Sequence, residues 1–185
     1  MSEPTRAPRK RRLFFALWPS DELRQRIALD HEALIRDSRG RPTASRNLHI
    51  TVLFVGEVEE PQVSLVVDSG AAITAPRFQL ALDSIDTLSP SKVLCLESSR
   101  EPPSALLELA ERLRFSLLDK GIKLKQQVMR PHLTLARRLP RPMHRSAPAS
   151  YTWDVVEFVL VESTLAASGS EYEIIGRWPL AASGQ

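Results

Sequence analysis

The stretch "NLHITVLFVG", residues 47–56, sets a histidine and a threonine two apart in an apolar run, and "RPHLTLARR", residues 130–138, does so again. Side chains of an extended strand alternate between faces, so His49 and Thr51 share one face while Leu48, Ile50, Val52 and Phe54 share the other. The same parity groups Arg130, His132 and Thr134 against Leu133 and Leu135. The apolar sets belong to a core. Each strand therefore carries an imidazole beside a hydroxyl on a rigid support.

Outward from these strands, the patterning predicts the remaining elements. "RLFFALWP" reads as a strand, followed by a helix over "SDELRQRIALDHEALIRDS", capped by Ser20 and carrying Leu23, Ile27 and Leu34 at helical spacing. The first motif strand ends at Gly56. "EEPQVSLVVDSGAAITA" reads as a second helix weakened by Gly70, "FQLALDSIDTL" and "KVLCLESS" as strands paired around "SPS", and "PPSALLELAERLRFSLLDKG" as a helix with a Ser104 cap and a Gly121 stop. After the second motif come a Pro-rich loop over 139–148, one long strand "TWDVVEFVLVESTL" and a last strand "YEIIGRWPL". The order β-α-β-α-β-β, α-β-β-β indicates an α+β fold with a mainly antiparallel sheet, not a doubly wound nucleotide fold. Each His-x-Thr copy follows a strand and a helix, which suggests two related lobes facing one another.

Composition bounds the function classes. With 185 residues, 43% hydrophobic and 25% charged, the chain has the make-up of a globular domain, and no stretch approaches the ~20 apolar residues of a membrane helix. The basic start before Leu13 resembles a secretory signal, but only Leu13 to Trp18 is continuously apolar and acidic residues follow at once. We expect a basic tail over residues 1–10, one bilobal domain over 11–181, a short tail over 182–185, and a cytoplasmic location. The single cysteine, Cys95, excludes an intramolecular disulfide and reads as a buried small hydrophobe; no Cys and His spacing suits zinc, so no metal is expected. The formal charge of +3 owes much to Arg6, Arg9, Lys10, Arg11 and Arg12. It permits an anionic partner without establishing one.

An imidazole titrating near ~6.5 accepts or donates a proton around neutrality, and two on opposite sides of a reacting centre do both in one turnover. Two histidines and two hydroxyls, with an arginine at hand, suit a phosphodiester: two non-bridging oxygens to hold, a water to deprotonate and a leaving oxygen to protonate. Such a site needs no cofactor, and neither a phosphate-binding loop nor a dinucleotide fingerprint is present. The other histidines, His31 in the first helix and His144 in the Pro-rich loop, are expected at the surface.

These residues resemble the 2H phosphoesterases, specifically the LigT-like RNA 2′,3′-cyclic phosphodiesterases, also called 2′-5′ RNA ligases, in a layout similar to the bacterial ThpR branch. The resemblance runs from about residue 11 to 181 and rests on "RLFFALWP", "NLHITVLFVGEV", "RPHLTLAR" and the closing "STLAASGSEYEIIGRWPL". It implies a bilobal fold with two mainly antiparallel sheets lining a central cleft, helices outside, and the motif strands related by a pseudo-twofold. It further implies metal-independent hydrolysis of a terminal RNA 2′,3′-cyclic phosphate to a 2′-phosphate. On this chain His49 would be the acid protonating O3′, His132 the base activating water, and Thr51 and Thr134 the groups holding the non-bridging oxygens. Near-symmetry leaves the two histidine roles exchangeable.

Arg130 is a candidate for a further phosphate contact or else a solvated arginine before Pro131. With an RNA 5′-hydroxyl in place of water the same groups would run reversible 2′-5′ ligation without ATP. Phe14, Phe15, Trp18, Phe54 and Tyr172 are either stacking residues for RNA or core; Arg137, Arg138, Arg141 and Arg145 are either a basic rim or a solvated loop. The expected partner is a single-stranded RNA end or tRNA fragment, met by a monomer. Two rivals remain: a phosphodiesterase for 2′-5′ oligonucleotides or small cyclic nucleotide phosphates, and an RNA-binding module that has lost the chemistry.

Overall fold

The structure, a computed structural model, describes residues 9–166 and 169–182. Most of the expected basic tail and the last residues fall outside this range. The elements in chain order are β1 (Lys10–Leu17), α1 (Asp21–Asp30), α2 (Glu32–Asp37), β2 (Arg41–Pro42), β3 (Ile50–Glu59), α3 (Val63–Ala71), β4 (Phe78–Leu88), β5 (Val93–Glu97), α4 (Ser104–Asp119), β6 (Leu133–Arg137), β7 (Arg145–Val155), β8 (Glu157–Ala166) and β9 (Gly169–Pro179).

The strands pair antiparallel in the order β7-β4-β5-β6-β3-β1-β8-β9, with β2 added to β6. Read from its middle, this order is a palindrome. The motif strands β3 and β6 lie at the centre, β1 and β5 flank them, and two strands complete each side. The expected pair of sheets is thus one surface with a seam, because β3 and β6 meet through a single residue pair, Ile50 opposite Leu133.

Each motif strand follows a strand and a helix, and the helices cross over. α4, which precedes β6, packs on β3, while α1, which precedes β3, is tied to β7 by the Tyr151 hydroxyl donating to Asp30 at 2.8 Å. Leu106, Leu109, Leu113 and Leu117 repeat at helical spacing along α4 and are fully buried. Burying each stabilises the fold by about 1.5–3 kcal/mol relative to exposure. Between α3 and β9, the indole of Trp178 occupies the space a Cβ would need at Gly70 and Gly176, with closest approaches of 2.6 and 2.5 Å. Gly70 therefore keeps its place in a helix because of packing, at some cost in propensity.

Three expectations need correction. "TWDVVEFVLVESTL" is two strands broken at Val156: β7 pairs with β4 at one end of the sheet and β8 with β1 on the other side of the seam. The apolar run is continuous because both halves need it, which hides the switch. The Pro-rich loop also ends early, with β7 starting at Arg145. Finally, His31 is fully buried: it interrupts the first helix, its Nδ1–H donates to the Ile27 carbonyl at 2.9 Å, and its ring packs against Tyr151. His144 is exposed, in contact with Asp86. Cys95 is buried as expected, and burial pushes its thiol up to about 12.

Candidate active site

The two motifs are built alike down to their irregularities. On β3 the pairing with β1 runs Ile50 to Leu17 and Thr51 to Ala16, then skips Val52 and resumes at Leu53 with Phe15. On β6 the pairing with β5 runs Leu133 to Leu96 and Thr134 to Cys95, then skips Leu135 and resumes at Ala136 with Leu94. A β-bulge thus follows each threonine by one residue. An extra residue reverses the parity beyond it, and paired residues share a face. The residue three after each threonine is therefore brought round to the motif face: Phe54 in β3 and Arg137 in β6.

This corrects the simple alternation, which sent Phe54 to the core. Phe54 is 51% exposed, whereas Leu53 and Val55 are buried. Its backbone is held by Gln127, whose side chain accepts from the Phe54 N–H at 3.0 Å and donates to its carbonyl at 2.9 Å.

A cleft of about 290 Å³ brings these groups together: His49, Thr51 and Phe54 from β3, His132, Thr134 and Arg137 from β6, and Arg12, Phe14, Ser163 and Tyr172 from β1, β8 and β9. Both histidines use the same anchor. Nδ1–H of His49 donates to the Asn47 carbonyl, and Nδ1–H of His132 to the Arg130 carbonyl, each at 2.7 Å. A carbonyl only accepts, so the proton of each neutral ring is on Nδ1 and the bare nitrogen is Nε2. Neither threonine hydroxyl has a protein partner among the described residues.

The surroundings of the two imidazoles differ. His49 stacks on Trp18, with centroids 5.1 Å apart and planes 9° apart, and also meets Phe14 and the edge of Tyr172. Phe14 thereby belongs to a small apolar cluster with Ala16, Val159 and Val161 at the cleft, while Phe15 lies in the main core against Phe158 and Trp178. Burial among these rings, reinforced by the charge of Arg137, lowers His49 to about 4, against the pull of its carbonyl bond. His132 is lowered too, chiefly by burial, with Glu97 and the Arg130 carbonyl opposing. Both shifts favour the neutral ring in the free protein.

Arg130 does not line the cleft shared by the histidines. Its guanidinium pairs with Glu97 at 2.9 and 3.1 Å and with Asp86, while its carbonyl anchors His132. Arg137 is in none of the ion pairs among the described residues. The sequence alone offers Arg137 only as one of four arginines in a rim or loop, and Arg12 only as a contributor to the net charge. The signal for both lies in the bulge and the strand register, which the sequence does not print. Among the described residues no cluster of three or more His, Cys, Asp or Glu is arranged to hold a metal, and no helix is long and apolar enough to cross a membrane.

Comparison with known proteins gives this architecture a family. Residues 19–167 match the family described as the 2′-5′ RNA ligase superfamily. The chain belongs to that superfamily. It is 32% identical to the Escherichia coli RNA 2′,3′-cyclic phosphodiesterase, over 97% of this chain and 99% of the relative. The protein of the same name from Thermus thermophilus is 28% identical over 91% of this chain and 90% of its own. Among solved superfamily structures, Escherichia coli LigT complexed with 3′-AMP superposes with a TM-score of 0.84 at 31% identity, covering 93% of this chain and 99% of that one. The bilobal α+β fold implied by the paired motifs is therefore the fold this chain has.

Proposed function

We propose that the protein hydrolyses a terminal RNA 2′,3′-cyclic phosphate to a 2′-phosphate by two-histidine acid and base catalysis. The observation that carries this reading is the convergence of two Nδ1-anchored imidazoles, two unpartnered threonine hydroxyls and Arg137 on one cleft. The names of the relatives agree with it.

The phosphate sits between the imidazoles, its non-bridging oxygens taking hydrogen bonds from Thr51 and Thr134 and charge from Arg137. Neutral His132 accepts a proton from water at Nε2 as the oxygen attacks phosphorus. His49, protonated, gives its proton to O3′ as that bond breaks. A ring lowered to about 4 is a poor proton reservoir in the empty site. The substrate remedies this: its negative charge offsets Arg137 and raises His49 toward the range an acid needs. Arg130, held by Glu97 and Asp86, acts by fixing the carbonyl that orients His132, and Arg137 takes the phosphate contact for which Arg130 was the sequence candidate.

When an RNA 5′-hydroxyl takes the place of water, the same transfers form a 2′-5′ bond; hydrolysis dominates unless that hydroxyl is held close by. We place the protein in the cytoplasm as a monomeric domain, the site being complete within one chain.

The test is incubation of the purified protein, with EDTA present, with a short RNA ending in a 2′,3′-cyclic phosphate. A 2′-phosphate end identifies O3′ as the leaving group. A 3′-phosphate end reverses that assignment, and unchanged RNA turns attention to mononucleotide cyclic phosphates and then to binding without turnover.

A further inference from the structure

We propose that an arginine-lined groove opening from His49 is the track for the RNA strand that leads into the reacting nucleotide, so that the site favours polynucleotide ends over mononucleotides. The inference rests on the reading of the centre as a cyclic-phosphate hydrolase and concerns the surface beyond it.

The groove, about 340 Å³, shares His49, Thr134 and Tyr172 with the reaction cleft and runs out past β2 and the turn at Ser45–Asn47. Arg41, Arg46, Arg137 and Arg138 line it against a single carboxylate, Glu171. A concave surface with four guanidinium groups and one carboxylate is a site for a polyanion. A larger cavity, about 910 Å³ beyond Trp18, has the opposite balance: Arg24, Arg46 and Arg177 face Asp21, Asp154, Glu157, Glu171 and Glu173. Volume favours the larger cavity, but charge excludes it as a phosphate track.

Local backbone explains the clustering. Strand parity would send Arg137 and Arg138 to opposite faces. Arg138 instead takes φ +60°, a left-handed conformation uncommon outside glycine, Asn and Asp, and the next residue, Leu139, is buried with its N–H bonded to the Lys92 carbonyl at 3.0 Å. Both arginines then border the groove.

Reaction geometry supplies the direction. In an in-line displacement the nucleophile enters opposite the departing O3′, and the ribose bearing O3′ also carries the rest of the RNA. The strand must therefore approach from the side of the acid. The basic groove includes His49 and not His132, whereas His132 borders a separate recess of about 140 Å³ with Phe54 and Gln127 that does not include His49. The strand comes in beside the acid, and water enters beside the base.

The experiment compares kcat/KM for an RNA pentamer ending in a 2′,3′-cyclic phosphate with that for a mononucleotide 2′,3′-cyclic phosphate, in the wild type and in Arg46→Glu and Arg138→Asn. Asparagine keeps the left-handed backbone accessible. The wild type is expected to prefer the pentamer by about tenfold or more, each variant to lower that preference by about tenfold, and the salt dependence of the pentamer to flatten by about 0.7 in log–log slope for each cation lost. A wild-type preference near one, or variants that slow both substrates alike, would overturn the groove. Equilibrium binding of the pentamer and the mononucleotide carrying a 2′-phosphate separates this from the chemistry. If turnover fails but the pentamer binds more tightly through Arg46, the groove stands and the hydrolase reading falls; equal binding of the two removes the groove whatever the turnover.

Discussion

His49 and His132 occupy equivalent places in the sheet, follow equivalent strand–helix units, precede equivalent bulges and make the same 2.7 Å bond to a carbonyl two residues back. What surrounds them is not equivalent. His49 is wrapped in the rings of Trp18, Phe14 and Tyr172, while His132 lies among Arg130, Glu97 and Arg137. The backbone supplies symmetry of placement, and the side chains around it supply asymmetry of proton affinity. A site that must give one proton and take another needs both.

The sharpest attempt to break this comparison uses the leaving group. Replacing either histidine with alanine is expected to lower kcat by about 10²–10⁴-fold with the fold intact. With sulfur at the 3′ position the leaving group departs as a thiolate without a proton, so His49→Ala should recover most of its loss and His132→Ala should not. Recovery in His132→Ala would exchange the two roles, and near-normal turnover in either alanine variant would reject the mechanism.

Next in size is the contrast between the two arginines of the second motif. Arg137→Ala should cost about 10²–10³-fold in kcat, with Arg137→Lys restoring only part, because a point charge does not reproduce the planar fork. Arg130→Ala should cost less and shift the titration of His132. Equal losses would return Arg130 to the phosphate.

The pH profiles probe the same asymmetry through the substrate. In the proposed mechanism activity requires protonated His49, whose value in the free protein is about 4, and the bound anion raises it. The basic limb of kcat should therefore lie at higher pH than that of kcat/KM. Coincident limbs would mean that substrate charge does not reach the ring.

The smallest effect is on stability. Both rings titrate below the ordinary value of 6.5 when folded, so the unfolded chain binds protons first as pH falls. Their contribution is complete above pH 6.5 and declines as pH drops, for His49 down to about 4. His49→Gln should flatten the fall in Tm across that window, and His132→Gln should flatten it less. The reverse order would remove the aromatic cage as the source of the difference.

The sequence carried the motifs, the fold class and the pairing of the lobes, because His-x-Thr parity and apolar periodicity are local properties. It did not carry the position of Arg137 or Phe54 in the cleft. A bulge is an extra residue relative to a partner strand, and Ala16 and Cys95, the partners that reveal it, are distant in the chain. Val156 was hidden for a related reason: a strand that leaves one half-sheet for another remains apolar throughout. His31 looked superficial in a charged helix, and its burial depends on Tyr151, a residue of another lobe.

The seam between the half-sheets has a mechanical meaning. Ile50 and Leu133 are the one backbone pair that joins β3 to β6, and each immediately follows a motif histidine. β2 adds a second tie across the seam, with Arg41 opposite Arg137 and Pro42 opposite Ala136, and α4 of the second half packs on β3. Both imidazoles thus sit where the backbone ties between the halves are concentrated, so their spacing is set by the sheet and not by the side chains of the cleft.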